Sequence, residues 1–331
     1  MISFTHLHVH SQYSILDGAA SVSGLVTKAK ADGMTALALT DHGTMFGIKD
    51  FYDTCRKNNI KPILGCETYV AARGIHHKKD KIDRSGDHLI LLAKNMQGYK
   101  NLMRLISMAN SEGMYYKPRI DKSLLEQYHE GLIVSSACLG GEIPQKIMEG
   151  DLAGAEDAVL WFKNLLGEDY YLELQRHKAD DPKLRSEIYD NQVRVNAVLI
   201  ELAHKHNIKL IAANDVHFIN SEDADAHDLL ICLNTGKDLD DPTRMRYTKQ
   251  EWFKTTEEMN QLFGDVPEAL ENTQEIVDKI EFYELDSSPI MPDFPLPEGF
   301  TDNAEYLRHL TYEGAKKRYG DPIPDYAKER I

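Results

Sequence analysis

Short runs of apolar and β-branched residues recur along the first 213 residues, separated by stretches whose apolar positions repeat with helical period. The runs predict strands at Ser3–His8, Thr35–Thr40, Pro62–Val70, His88–Ala93, Gly131–Ser135, Tyr170–Leu174 and Lys209–Ala213. The intervening stretches predict amphipathic helices at Ser21–Asp32, Phe46–Asn58, Gly98–Ser111, Asp151–Leu166 and Arg185–His206. Strands that alternate with helices read as parallel β/α units. Seven such units fit a distorted (β/α)7 barrel, a relative of the eight-stranded one, better than an open sheet.

The pattern changes after residue 220. Helices are expected at Glu222–Thr235, Thr256–Phe263 and Pro267–Lys279, with a polar, acidic loop at Lys237–Tyr247. Proline-rich Ser287–Phe300 cannot be a regular helix and reads as an extended linker before one more helix at Asp302–Arg318. The expected division is a barrel over 1–270 and a linker with the start of another domain over 271–331. No closing element is evident near Ile331, so the chain is expected to be part of a longer protein.

The net charge of −15 argues against a broad basic surface that grips nucleic acid by its phosphates. No apolar run approaches a membrane span, and the first residues do not resemble a secretory signal, so the expected compartment is the cytoplasm. Cys55, Cys66, Cys138 and Cys232 form no CxxC pair and are expected to be reduced.

The candidate chemistry lies at strand ends. In Thr5-His-Leu-His-Val-His-Ser11, the three histidines alternate with apolar residues, so an extended chain places His6, His8 and His10 on one face. Further metal-capable side chains follow in Leu16-Asp17-Gly18, Thr40-Asp41-His42-Gly43, Gly65-Cys66-Glu67, at His88, in Ser135-Ser-Ala-Cys138, and in Asn214-Asp215-Val-His217. Most fall at carboxyl ends of expected strands, where barrel sites are built. Glu67 and His88 fit that rule less well. His6 lies one pair deeper and is expected to sit outside the ligand set. Asp41 can orient a ligand histidine or cap its turn. The mixed imidazole, carboxylate and thiolate donors suit zinc, manganese or iron better than magnesium. Lys117 and Arg119, with Tyr115 and Tyr116 before them, can contact a phosphate and a base. Arg176 and His177 follow the sixth strand and belong on the same rim.

These motifs, together with Tyr115-Tyr-Lys-Pro-Arg-Ile-Asp121, Asp225-Ala-His-Asp228 and Pro267-Glu-Ala-Leu-Glu-Asn-Thr273, resemble the polymerase-and-histidinol-phosphatase (PHP) family. The likeness is strongest to the members carried by bacterial replicative DNA polymerases, and runs over the whole chain. The resemblance implies a distorted seven-stranded barrel with up to three divalent ions, followed by a mainly helical segment entering a polymerase palm. It implies nine ligands: His8, His10, Glu67 and Asp215 around one ion, Glu67, His88 and Cys138 around a second, and Asp17, His42 and His217 around a third. It further implies phosphodiester hydrolysis. The expected catalytic residues are Glu67, Asp215 and His10, and the expected substrate contacts are Tyr116, Lys117, Arg119 and His177. The expected activity is 3′→5′ removal of nucleotides at a DNA primer terminus, with polymerisation left to residues beyond this chain. The expected partners are DNA and other replicase subunits, among them a proofreading subunit and the sliding clamp. A competing expectation is a catalytically silent, metal-stabilised module that docks the proofreading subunit.

Overall fold

The computed structural model describes residues 1–331, which divide into two compact units, Met1–Glu284 and Leu285–Ile331. Seven strands organise the first: β1 (Ala36–Leu39), β2 (Lys61–Val70), β3 (Asp87–Ala93), β4 (Arg119–Ile120), β5 (Leu132–Ser135), β6 (Tyr170–Leu174) and β7 (Lys209–Ala212). Their order is β1-β2-β3-β5-β6-β7, with the two-residue β4 pairing beside the far end of β2. Strands β1 and β5 are buried at every position, as expected where helices cover one face and a barrel core the other.

The N-terminal segment closes the ring. The expected first strand, Ser3–His8, is not a regular strand, because donors two residues apart along and just past β1 meet acceptors three apart on this segment, His6 O and Val9 O, which breaks the ladder and leaves only an isolated bridge from Val9 to Val216. On one side Ala38 N donates to His6 O and Thr40 N to Val9 O. On the other, His10 N donates to Val216 O and Val216 N to His8 O. The segment is thus the seventh stave, between β1 and the stretch after β7. Leu7 points into a core shared with Ala36, Ala38, Ile63, Ile90, Ile133, Tyr171 and Ile211.

The strands are not all parallel. β3 runs antiparallel to both β2 and β5, whereas β1–β2, β5–β6 and β6–β7 are parallel. A parallel return needs a crossover, usually a helix. The connection from Ala71 to Gly86 carries only the short 3-10 turn Lys81–Arg84, so the chain turns back beside β2. This reversal places the start of β3 at the carboxyl end of its parallel neighbours.

Local signals set the helix ends. Ser21, Asn95, Asp121 and Asp151 accept hydrogen bonds from the backbone N–H three residues on. Thr255 and Glu258 form a reciprocal capping box. Helices absent from the sequence expectation form at Lys122–Tyr128 and Glu142–Glu149. Helix Pro267–Lys279 packs on β7, where Asn272 donates to Leu210 O. The expected boundary at residue 270 therefore falls inside a helix of the first unit, which extends to Glu284. In the second unit, Asp302 caps helix Asn303–Tyr319, and Ala315, Ile323 and Ala327 form a small core with Tyr312.

Candidate metal centre

The barrel brings all nine expected ligands into one network of contacts. His8 and His10 end the N-terminal stave. Asp17 follows in the next loop, and His42 lies just past β1. Glu67 projects from the middle of β2, which continues past the barrel mouth to pair with β4. His88 begins β3, so the antiparallel direction accounts for a ligand at the start of a strand. Cys138 follows β5, and Asp215 and His217 follow β7.

Glu67 is the hub. Its carboxylate oxygens lie 3.5 Å from His8 Nε2, 3.4 Å from His10 Nε2, 2.6 Å from His42 Nδ1 and 2.7 Å from His88 Nδ1. Asp215 Oδ1 is 3.1 Å from His8 Nε2 and 3.2 Å from His10 Nε2. Asp17 Oδ2 is 3.1 Å from His42 Nε2. Cys138 Sγ lies 3.5 Å from His88 Nδ1 and 3.9 Å from Glu67 Oε1. Three overlapping groups have their donor atoms mutually within 4.8 Å: His8, His10 and Glu67; Glu67, His88 and Cys138; and His10, His42 and His217. Leu16, Ala137 and Asp215 all adopt positive φ, of 63°, 60° and 47°. Three of the seven non-glycine residues with positive φ thus sit in turns that present candidate ligands.

Hydrogen bonds outside the cluster fix the rings. His8 Nδ1–H donates to Glu173 Oε1 at 2.7 Å. Glu173 also accepts from Ser135 Oγ at 2.6 Å and from Gln175 Nε2 at 2.8 Å. Ser14 Oγ donates to Asp41 Oδ1 at 2.7 Å and so must accept from His10 Nδ1–H at 3.1 Å. Asp41 therefore orients a ligand histidine through Ser14. His217 Nδ1–H donates to Asp215 O at 2.8 Å. In the neutral tautomers these bonds select, the inward nitrogens of His8, His10 and His217 are bare.

This arrangement suits bound cations. His8 Nε2 and His10 Nε2 stand 3.1 Å apart, both facing Asp215 Oδ1. Asp215 Oδ1 and Glu67 Oε2 are buried without a well-aligned hydrogen-bond donor, although ring nitrogens of His8, His10 and His42 stand 2.6–3.4 Å from them. Two nitrogens at roughly 2 Å from one tetrahedral ion would be about 3.3 Å apart, close to the observed spacing. The electrostatics agree. Burial opposes a charge on His42, yet Glu67 and Asp17 push its pKa up to about 10. Burial likewise opposes ionisation of Glu67, yet His88, His42 and His8 hold its carboxyl well below the usual range. The field of the carboxylates calls for positive charge at their centre.

The cluster opens into a cavity of about 260 Å³ walled by Gln175, His177, Ile188, Arg246 and Tyr247, among others. Tyr247 was not expected here. Its hydroxyl donates to Asp17 Oδ1 at 2.9 Å and lies 3.2 Å from His217 Nε2. Glu173, Ser14 and Arg246 were also missed. Of these, only Glu173 carried a signal, as a lone carboxylate between Leu172 and Leu174 in an apolar strand.

Several expected substrate contacts need correction. Arg119 is buried, and its guanidinium donates to the carbonyls of Gly113, Ile75, His77 and Asp83. It has no face for a phosphate. His177 lines the cavity, but both ring nitrogens are engaged. Nε2–H donates to Asn214 O at 3.0 Å, and Nδ1 accepts from Gln192 Nε2 at 3.1 Å. It positions the wall rather than offering a free donor. Arg176 is held by both carboxylate oxygens of Asp265 and by Leu262 O. Lys117 lies over the Tyr69 ring, which sits beside His42 and His88. Tyr116 is exposed, with the Arg84 guanidinium over its ring. His6, as expected, stays outside the cluster, its Nε2 on Lys254 O at 2.7 Å. All four cysteines are free.

Residues 6–177 match the model of the PHP domain. The chain is 47% identical over 319 residues to DNA polymerase III subunit alpha of Borreliella burgdorferi, covering 96% of this chain and 27% of that protein. It is 40% identical over 341 residues to DNA polymerase III subunit alpha of Thermus aquaticus, covering 98% of this chain and 27% of that protein. The chain thus spans about a quarter of the length of these relatives. A solved two-domain protein from Bacteroides vulgatus, containing a predicted PHP-like metal-dependent phosphoesterase, aligns at 14% identity with a TM-score of 0.39, over 87% of this chain and 73% of that one. No helix is long and apolar enough to cross a membrane.

Proposed function

The chain belongs to the PHP domain family, and from that premise we propose that its cavity hydrolyses phosphodiesters, removing nucleotides from the 3′ end of a DNA strand within a cytoplasmic replicative polymerase. The observation that carries this reading is the pair of buried carboxylate oxygens, Asp215 Oδ1 and Glu67 Oε2, that have no well-aligned donor although imidazoles crowd around them, in a cluster open to a cavity. Up to three divalent ions, of zinc, manganese or iron, would be held by His8, His10, Asp17, His42, Glu67, His88, Cys138, Asp215 and His217. Ions in such a donor set supply charge stabilisation to a phosphoryl group and lower the pKa of a water molecule.

The chain's own residues do the rest. Glu67, Asp215 and His10, central to the network, carry the reaction. Glu173 and the Ser14–Asp41 pair keep His8 and His10 in the tautomers that present bare nitrogens inward. His177 and Gln192 hold the cavity wall. Lys117, at the mouth over Tyr69, meets a backbone phosphate, and Tyr116 meets a base. Water adds to phosphorus as the bond to the preceding 3′ oxygen breaks. That oxygen takes a proton, giving a shortened strand with a 3′-hydroxyl and a nucleoside 5′-monophosphate. DNA is thus the substrate, and polymerisation and contacts with other replicase subunits belong to residues outside this chain.

The test uses the whole chain with manganese or zinc and a 5′-labelled primer–template bearing a 3′ mismatch. The expected result is stepwise shortening that His10→Ala and Asp215→Asn abolish. An intact primer with each metal, or undiminished cleavage by His10→Ala, overturns the reading.

A further inference from the structure

Beside the catalytic cavity lies a second one of about 540 Å³. The two share Ile188, Met245 and Arg246 in their walls, so they form one continuous surface. One side comes from a π-turn at Arg185–Tyr189, the other from the loop at 237–247. π-turns recur at functional sites, where the extra residue re-aims neighbouring side chains. We propose that this second cavity seats the nucleotide preceding the scissile bond of a single-stranded 3′ end, and that Arg246, at the junction, binds a backbone phosphate there. The identity of the strand rests on the phosphodiesterase reading. The binding site itself rests on the following features.

Arg246 is placed and only lightly committed. Its one hydrogen bond goes from Nη1 to Asp181 Oδ2, at 3.3 Å. Asp181 is itself anchored, because its Oδ1 accepts from the backbone N–H groups of Lys183 and Leu184. The Arg246 side chain keeps 38% of its exposure. Neighbouring Arg244 shows the contrast. It is nearly buried, and both terminal nitrogens bond the Asp228 carboxylate at 2.7 Å. Arg119 is spent on carbonyls, as described above. Arg246 is therefore the arginine in the walls of the two cavities whose guanidinium still has donors to give, and an arginine fork matches phosphate oxygens.

The surroundings suit one strand of nucleic acid. Met245 and Leu239, each 51% exposed, offer apolar surface to a base. Three carboxylates also line the cavity: Asp241 is occupied by Lys237 and Thr243, Glu187 lies 3.8 Å from Lys183 Nζ, and Asp240 is exposed to solvent. On a chain with net charge −15, nonspecific phosphate attraction is weak, so a fixed cation at the junction has to supply the local pull.

The test measures equilibrium binding of a fluorescein-labelled short oligothymidine to the whole chain by anisotropy, between about 50 and 200 mM salt, with Asp215→Asn as background to prevent cleavage. Adding Arg246→Gln is expected to weaken binding roughly tenfold. It should also lower the slope of log affinity against log salt by about 0.7 to 1, the share of one phosphate contact. Arg246→Lys should recover most of the slope but only part of the affinity, which separates a lost phosphate contact from a misfolded loop. Unchanged affinity and slope in Arg246→Gln overturn the proposal, as does absence of binding by the background protein. Failure of the parent reading gives a different signature. If the chain never shortens a primer yet binds the strand through Arg246, the binding site stands and the hydrolase reading falls.

Discussion

A carboxylate one bond away from the ligand shell decides what His8 can do. Glu173 accepts the hydrogen bond of His8 Nδ1–H, which in the neutral ring leaves Nε2 bare and aimed at Asp215. Glu173→Gln keeps the size of the side chain but can turn an amide N–H toward His8, favouring the opposite tautomer. Such outer partners typically change metal affinity 10- to 100-fold. The expected outcome is a metal dissociation constant raised by about that factor, measured by competition with a chromophoric chelator, with little change in the far-ultraviolet circular dichroism. A variant that binds metal as the parent does would show that His8 orientation needs no carboxylate. The clustering of the candidate ligands was legible in the sequence because their donor chemistry is intrinsic to the side chain, and because alternation along an extended segment puts His8 and His10 together. Arg119 was misread for the complementary reason. Its neighbours Tyr115, Tyr116 and Lys117 suggest a nucleic-acid loop, but the carbonyls that consume its guanidinium lie mainly at residues 75–83, and no local pattern announces that this loop folds over β4. Arg246 and Tyr247 were hidden because the loop that carries them has no periodicity to show which way it faces.

Strand direction is the element-scale feature that periodicity does not encode, since a buried strand reads the same in either sense. The sequence therefore yields seven staves correctly but leaves β3 parallel. What reverses it is the helix-free connection from β2, and the reversal moves His88 to the barrel mouth. The same connection needs an anchor, which β4 supplies. Arg119 ties Ile75, His77 and Asp83 of the connection to Gly113, while Asp83 in turn binds Arg73. Arg119→Met should leave several buried carbonyls unpaired and destabilise the first unit by about 3 kcal/mol or more. Guanidinium unfolding monitored by circular dichroism measures this. Affinity for a DNA strand, measured under conditions where the protein stays folded, should be little altered. Unchanged stability with lost DNA affinity would restore Arg119 to the substrate surface.

At the scale of the whole molecule, every candidate ligand and every wall of the cavity beside them lies between residues 8 and 251, within the unit that ends at Glu284. The proline-rich stretch was legible as extended chain because proline forbids the helix. The boundary was not, because helix Pro267–Lys279 has the same amphipathic pattern whether it covers this barrel or opens a new domain, and only its packing on β7 assigns it. From Leu285 to Leu296 the chain has no regular secondary structure and is almost entirely exposed, the condition under which proteases cut. Limited proteolysis is expected to cleave within that stretch and leave a product ending shortly after Glu284. Because that product holds the complete donor set, it should bind the same number of divalent ions per chain as the uncut protein, counted by plasma emission spectroscopy. Metal at about a hundred times its dissociation constant adds about 2.7 kcal/mol, which for a unit of this size corresponds to roughly 5–10 °C in melting temperature. A chelator should remove that increment equally from the cut and uncut proteins. A product that loses its ions on cleavage, or whose melting ignores the chelator, would mean that the cluster is not held by the barrel alone.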